Sequence, residues 1–378
     1  MSELAHHRYL TTRHFASLDG LRCLSILPVI WHHSTPRPLP GFLGKGPAGV
    51  DLFFCISGFL ITTLLLRERA NTGRIALGDF YARRALRIFP LYYGLLALYV
   101  AFAWALPSSS PQRGYFFDTL PLYATFTVDW FARHPGGAFP ILFSFAWSLG
   151  IEEQFYGFWP WVVRACSTRL ALGLMSALIA LDYFAEQGAL SALLPPDSVA
   201  LRIVTSFAAP IGLGSLLALL LHERLGFALL ERWLARAWSA PLSLATVFAL
   251  LLWPSAPLLA FQGALTVLVG ACVIDEHHTL APLLRARPVA YVGSVSYGLY
   301  LLNSSAIGLI KRLFPAQASS SSFVFWLSLP LALLLATLSH RYLEAPFLRL
   351  RARFRGASLS APRLAAEAPA HSGSAPSR

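Results

Sequence analysis

The chain has 378 residues, 56% of them hydrophobic and 13% charged, with a mean hydropathy of +0.57. Soluble domains carry about a quarter of their residues charged, so this composition excludes an ordinary soluble globule and reads as an all-α, polytopic membrane protein. The net charge of +12 points to basic cytoplasmic loops beside an anionic leaflet, and not to nucleic-acid binding, because the arginines lie between apolar runs.

Residues 1–15 are polar, with His6, His7, Arg8, Arg13 and His14, and read as a cytoplasmic N-terminal segment. The first apolar run, 18–34, has no small-residue cleavage site behind it and reads as a retained span. Further runs follow at 50–66, 88–106, 141–163, 170–187, 199–222, 240–254, 257–275, 288–310 and 323–344. A weaker stretch, 116–131, contains Asp118, Pro121 and Asp129. If it crossed the membrane, every later loop would flip and the arginines at 349–355 would lie outside. The positive-inside rule therefore predicts about ten transmembrane helices in a domain over 16–345, with both termini cytoplasmic, in the cell's inner (plasma) membrane. Segment 107–140 then becomes an external loop with an interfacial or re-entrant helix. The basic tail, 346–378, turns Ala/Ser/Pro-rich and reads as disordered. Cys23, Cys55, Cys166 and Cys272 lie in or beside apolar runs without metal spacing, so they read as packing residues, and no metal or prosthetic group is expected. Nothing in the sequence specifies an oligomeric state.

Ionisable residues inside spans are costly, and each is a functional candidate weighed against a bland role. Arg22 and His33 are eleven residues apart, about three helical turns, so they share one helix face at roughly 16 Å along the axis. His32 points about 100° away. Alone, Arg22 reads equally as a snorkelling anchor and His33 as a hydrogen-bonded bundle histidine. Asp51 opens the second run, either as a helix cap or as a carboxylate able to orient His33, and Gly58 permits close helix approach. Arg84 and Arg87, with Arg83 beside them, form a forked cluster suited to phosphates, or to lipid headgroups. In "FAWSLGIEEQFYGFWP", Trp147, Ser148 and Glu152 fall in the outer half of the span. Glu152 and Glu153 are adjacent and cannot share a face.

These pieces, in this order, resemble the acyltransferase 3 family of integral membrane acyltransferases. "LDGLRCLSILPVIWHHS", "GVDLFFCISGFLIT", "FYARRALRIFPLYY" and "WSLGIEEQFY" resemble its first four signatures. "VGSVSYGLYLLNSS" and "YLEAPFLRLRARF" resemble its ninth and tenth, and the likeness covers about 15–345. The resemblance implies ten helices that move an acyl group, usually acetyl, from cytoplasmic acyl-CoA to a hydroxyl, typically of an extracytoplasmic or membrane-bound glycan. It carries the essential arginine and histidine onto Arg22 and His33, the RxxR element onto Arg84 and Arg87, and the motif acid onto Glu152. At one point the chain departs: where the family commonly has a histidine two residues after "SYGLYL", this chain has Asn303. Asparagine donates and accepts hydrogen bonds but cannot act as a base.

The expected arrangement has Arg22, Arg84 and Arg87 holding CoA phosphates at the inner face. His33 meets the thioester, either as general base or as acyl carrier, with Asp51 or Glu152 orienting it or contacting the acceptor. Trp147, Ser148, Tyr156, Tyr297 and Asn303 are the candidate acceptor contacts. A transporter of a small organic acid or lipid-linked glycan is the alternative. It accounts for the buried charges but not for a cation and a histidine sharing a face above a phosphate-suited cluster.

Overall fold

The computed structural model describes residues 2–35, 48–133, 142–190, 193–195 and 198–354, and every regular element among them is helical. A short helix, α1 (Ser2–Thr11), precedes α2 (Ala16–Ser34), α3 (Ala48–Thr72) and α4 (Leu77–Ala105). Then come α5 (Pro111–Ala124), α6 (Val128–Phe131), α7 (Ala146–Ala165) and α8 (Thr168–Glu186). The second half holds α9 (Val199–Thr205), α10 (Ala209–His222), α11 (Arg224–Leu234), α12 (Ser239–Leu252) and α13 (Leu258–Ile274). It closes with α14 (Ala281–Leu284), α15 (Arg287–Ser294), α16 (Ser296–Leu313), α17 (Ser321–Ser339) and α18 (Ala345–Leu350).

Four of these are long and apolar enough to cross a membrane: α3, α4, α8 and the continuous stretch Ser321–Leu350. The number rises to six if two bent pairs, α9 with α10 (46°) and α11 with α12 (79°), each count as one span. Helices α2, α7 and α16 have the length, at 19, 20 and 18 residues, but carry polar residues that lower their hydropathy. These three supply much of the site described below.

Several expected boundaries move. The run at 288–310 is not one helix, because it breaks at Val295 between α15 and α16. The gap between the apolar runs at 50–66 and 88–106 shrinks to four residues between α3 and α4. Part of the tail expected to be disordered is helical: α18 covers Ala345–Leu350, and the Phe354 carbonyl accepts from Arg83 at 2.8 Å. Residues 355–378 and part of the 107–140 loop lie outside the described residues. Within that loop, α5 dips inward. The Tyr92 hydroxyl donates to the Tyr123 carbonyl at 2.8 Å, and Tyr92 lies about 20 Å from the end of its helix at Ala105. The C-terminus of α5 therefore reaches the middle depth of α4.

Helix α3 is the hub, packed on α2, α7, α10 and α13. Its contact with α10 is backbone-close: a Cβ at Gly58 would collide with the Ile211 carbonyl, and one at Gly214 with the Cys55 carbonyl. Small residues permit such approach between membrane helices. Gly58→Leu is therefore expected to destabilise the protein by more than the roughly 1–3 kcal/mol of ordinary overpacking, since a backbone carbonyl cannot turn aside. Gly263→Ala, whose Cβ meets nothing within 4 Å, is the control. Thermal unfolding of the purified protein in detergent reads the difference.

Candidate active site

A narrow cavity of about 240 Å³ runs beside α3 from Val50 to Arg67. Those positions are about 26 Å apart along the helix, nearly the roughly 30 Å of a hydrocarbon core. Its polar lining includes residues of α2 (Asp19, Arg22), α3 (Ser57, Thr63, Arg67), α4 (Arg84, Arg87), α7 (Ser148, Glu152, Tyr156) and α16 (Ser296, Tyr297, Tyr300). Seven of the side chains singled out in the sequence thus face one space: Arg22, Arg84, Arg87, Ser148, Glu152, Tyr156 and Tyr297.

The cations gather toward the Arg67 end. Arg22 donates to Asp19 at 2.9 Å across one helical turn, and Asp19 also holds His14 at 3.0 Å. Arg22 lies within electrostatic reach of Arg87 and Tyr156. Arg84 sits over the Tyr156 ring, 5.1 Å from its centre. Arg83 turns away from the cavity: it pairs with buried Glu68 at 3.1 Å, and the same carboxyl accepts from the Ala76 N–H at 2.7 Å. The i,i+3 spacing puts Arg84 and Arg87 on one face and leaves Arg83 to tie the α3–α4 turn. Arg13 and His14 also line the cavity.

Above the cations, the Ser57 and Tyr156 hydroxyls both donate to one oxygen of Glu152. A carboxylate held by two hydroxyls is a fixed acceptor, ready for a further O–H donor. Farther out, the Ser148 and Tyr300 hydroxyls share a hydrogen bond at 2.5 Å. Tyr297 donates to the Ile88 carbonyl at 2.7 Å.

His33 is not among the cavity's lining residues. Its Nδ1 meets Asn303 Oδ1 at 2.7 Å, and Asn303 lies three residues, about 4.5 Å, outward of Tyr300 on α16. Asn303 is fully buried, and its Nδ2 donates to the Leu299 and Tyr300 carbonyls at 3.2 and 2.5 Å. Its amide nitrogen being committed there, the oxygen faces the imidazole. Nδ1 then carries the proton and donates, which leaves Nε2 with a free lone pair. Asn303 therefore holds the ring, the part given to Asp51 or Glu152 on the sequence. Asp51 instead lies within reach of Glu186 on α8. Trp147 is 40% exposed and packs edge-on behind Phe54, with ring centres 6.4 Å apart, so it stands outside the cavity.

Sequence reasoning misses Ser57, Asp19 and Tyr300. Asp19 had a signal, an acid three residues before Arg22. Ser57 had none, since a lone hydroxyl in an apolar span ordinarily bonds back to its own helix.

Apart from Arg13 and His14, these residues lie within 15–341, the stretch that matches the family model described as an acyltransferase domain. The chain belongs to the acyltransferase 3 family. It is similar to "O-acetyltransferase OatA" of Staphylococcus aureus (strain NCTC 8325 / PS 47), 26% identical over 376 residues that cover 88% of this chain and 57% of that protein. It is also similar to "Putative peptidoglycan O-acetyltransferase YrhL" of Bacillus subtilis (strain 168), 30% identical over 368 residues that cover 90% of this chain and 55% of that one. The chain thus spans little more than half the length of the curated relatives it matches. No solved structure matches this acyltransferase 3 chain.

Proposed function

We propose that this chain is a plasma-membrane O-acyltransferase with ten spans and both termini cytoplasmic. It moves an acetyl group from cytoplasmic acetyl-CoA to a hydroxyl of a cell-envelope glycan. The observation that carries this reading is the cavity itself. It gathers Arg22, Arg84 and Arg87 at its inner end and leads outward toward the His33–Asn303 pair.

In this reading the three guanidiniums bind the CoA phosphates, for which forked donors are well suited. The pantetheine arm rises past the hydroxyls of Ser57 and Tyr156, and the thioester reaches the level of His33. His33 Nε2 takes the proton of the acceptor hydroxyl as the oxygen attacks the carbonyl. The C–O bond forms, the C–S bond breaks, and the CoA thiolate leaves and recovers a proton. The names of OatA and YrhL make acetyl the natural donor group and an envelope glycan the natural acceptor class.

The test is acetyl-CoA turnover by the purified protein in nanodiscs. Release of CoA that depends on an added glycan hydroxyl supports the reading; its absence with every envelope glycan removes it. The same assay reads Asn303. Asn303→Leu is expected to lower turnover about 10–100-fold with an unchanged KM for acetyl-CoA, as losing a histidine-orienting partner does elsewhere. Asn303→Asp, which restores an acceptor for Nδ1–H, is expected to recover most of that rate.

A further inference from the structure

A second cavity, of about 1230 Å³, lies on the other side of α7. Tyr81 and Phe89 of α4, Phe158 of α7, Leu174 and Leu178 of α8 and Phe207 before α10 give it an apolar wall. Helices α4 and α8 are both among the candidate spans, with only 33% and 28% of their apolar windows buried, so their free faces meet lipid. Arg84 and Tyr156 line this groove as well as the first cavity, making the two spaces share a wall.

Three adjacent polar residues on α7 divide between these spaces. Glu152 faces the inner cavity. Gln154 donates to the Phe126 carbonyl at 2.7 Å, pinning a residue held in the left-handed region at φ 57°. Such backbone strain in a non-glycine residue persists only where its surroundings enforce it. Glu153 faces the groove, and its Oε1 is buried without a hydrogen-bond partner. An unpartnered carboxyl oxygen at membrane depth is costly, and it is an acceptor waiting for a donor.

We propose that this groove binds a glycolipid, with its apolar chain against α4 and α8 and a sugar hydroxyl donating to Glu153. The proposal rests on the acyltransferase reading and deepens it: the acceptor glycan arrives on a lipid anchor and approaches sideways from the bilayer. A hydroxylated head supplies the donor that Glu153 lacks.

The test reconstitutes the full chain in phosphatidylethanolamine vesicles doped with monoglucosyldiacylglycerol, with phosphatidylglycerol as competitor. Bound lipid is read by native mass spectrometry, and acetyl-CoA binding is measured in parallel. Gly157 lines the groove and a Cβ there would meet nothing within 4 Å, so Gly157→Leu adds bulk to the groove from an open position. Ala177→Trp fills it from α8. Each filling variant is expected to lose glycolipid about tenfold, equivalent to about 1.4 kcal/mol. Glu153→Gln is expected to lose it several-fold, with acetyl-CoA binding unchanged in all three. Unchanged glycolipid retention in the filled variants, or retention of phosphatidylglycerol in preference to the glycolipid, overturns the proposal. Loss of acetyl-CoA binding in the wild type would instead overturn the acyltransferase reading, and the lipid result would still decide the groove.

Discussion

Replacing His33 with alanine is expected to lower acceptor-dependent CoA release by about 10²- to 10⁴-fold, the range a positioned general base supplies. The KM for acetyl-CoA should stay within a few-fold, because the proposed phosphate site includes Arg22, roughly 16 Å from His33 along α2. His32→Ala is the internal control. The two rings are neighbours, with centres 5.9 Å apart, but Asn303 holds only His33. A His32 variant that loses as much rate as the His33 variant would place the base on the wrong ring. His33→Gln tests the same point differently, since glutamine can hydrogen-bond to Asn303 but cannot take a proton at neutral pH.

Arg22→Ala is expected to raise the KM for acetyl-CoA about 10- to 150-fold, the loss that follows from removing a charged hydrogen bond worth about 1.5–3 kcal/mol. Arg22→Lys keeps the charge but loses the planar fork, so an intermediate effect is expected. Arg84→Ala and Arg87→Ala should act in the same direction, while Arg83→Ala should alter stability and leave KM alone, because Arg83 serves Glu68 and the Phe354 carbonyl. Steady-state kinetics with acetyl-CoA and with free pantetheine thioester separates the two kinds of effect. The arginine variants should lose discrimination between the two donors, because pantetheine carries none of the CoA phosphates that they are proposed to hold. A phosphate role would be contradicted if Arg22→Ala slowed both donors equally.

How much of this was legible in the sequence depended on separation along the chain. The shared face of Arg22 and His33 follows from helical period alone; both lie in α2, from Ala16 to Ser34, and of the two only Arg22 lines the cavity. The forked pair Arg84 and Arg87 was legible for the same reason. Asn303 was read as an acceptor contact because its partner lies 270 residues away, and no local pattern ties the two together. Ser57 was invisible for a similar reason, since its partner Glu152 lies 95 residues on. The glycine at 58 was legible as a close approach, but not that Gly214 answers it from α10. Helix breaks were poorly read as well. The bend between α9 and α10 and the stop at Val295 fall inside hydrophobic runs, where hydropathy continues while direction changes.

In the proposed reaction this chain adds acyl groups to a cell-envelope hydroxyl through His33. The most direct measurement is the O-acyl content of envelope glycans, by mass spectrometry, in a deletion strain carrying wild type or His33→Ala at matched membrane levels. Wild type is expected to restore an O-acetyl group, and His33→Ala is expected to restore none. Equal restoration by both would make His33 structural, and no restoration by the wild type would contradict the envelope acyltransferase assignment.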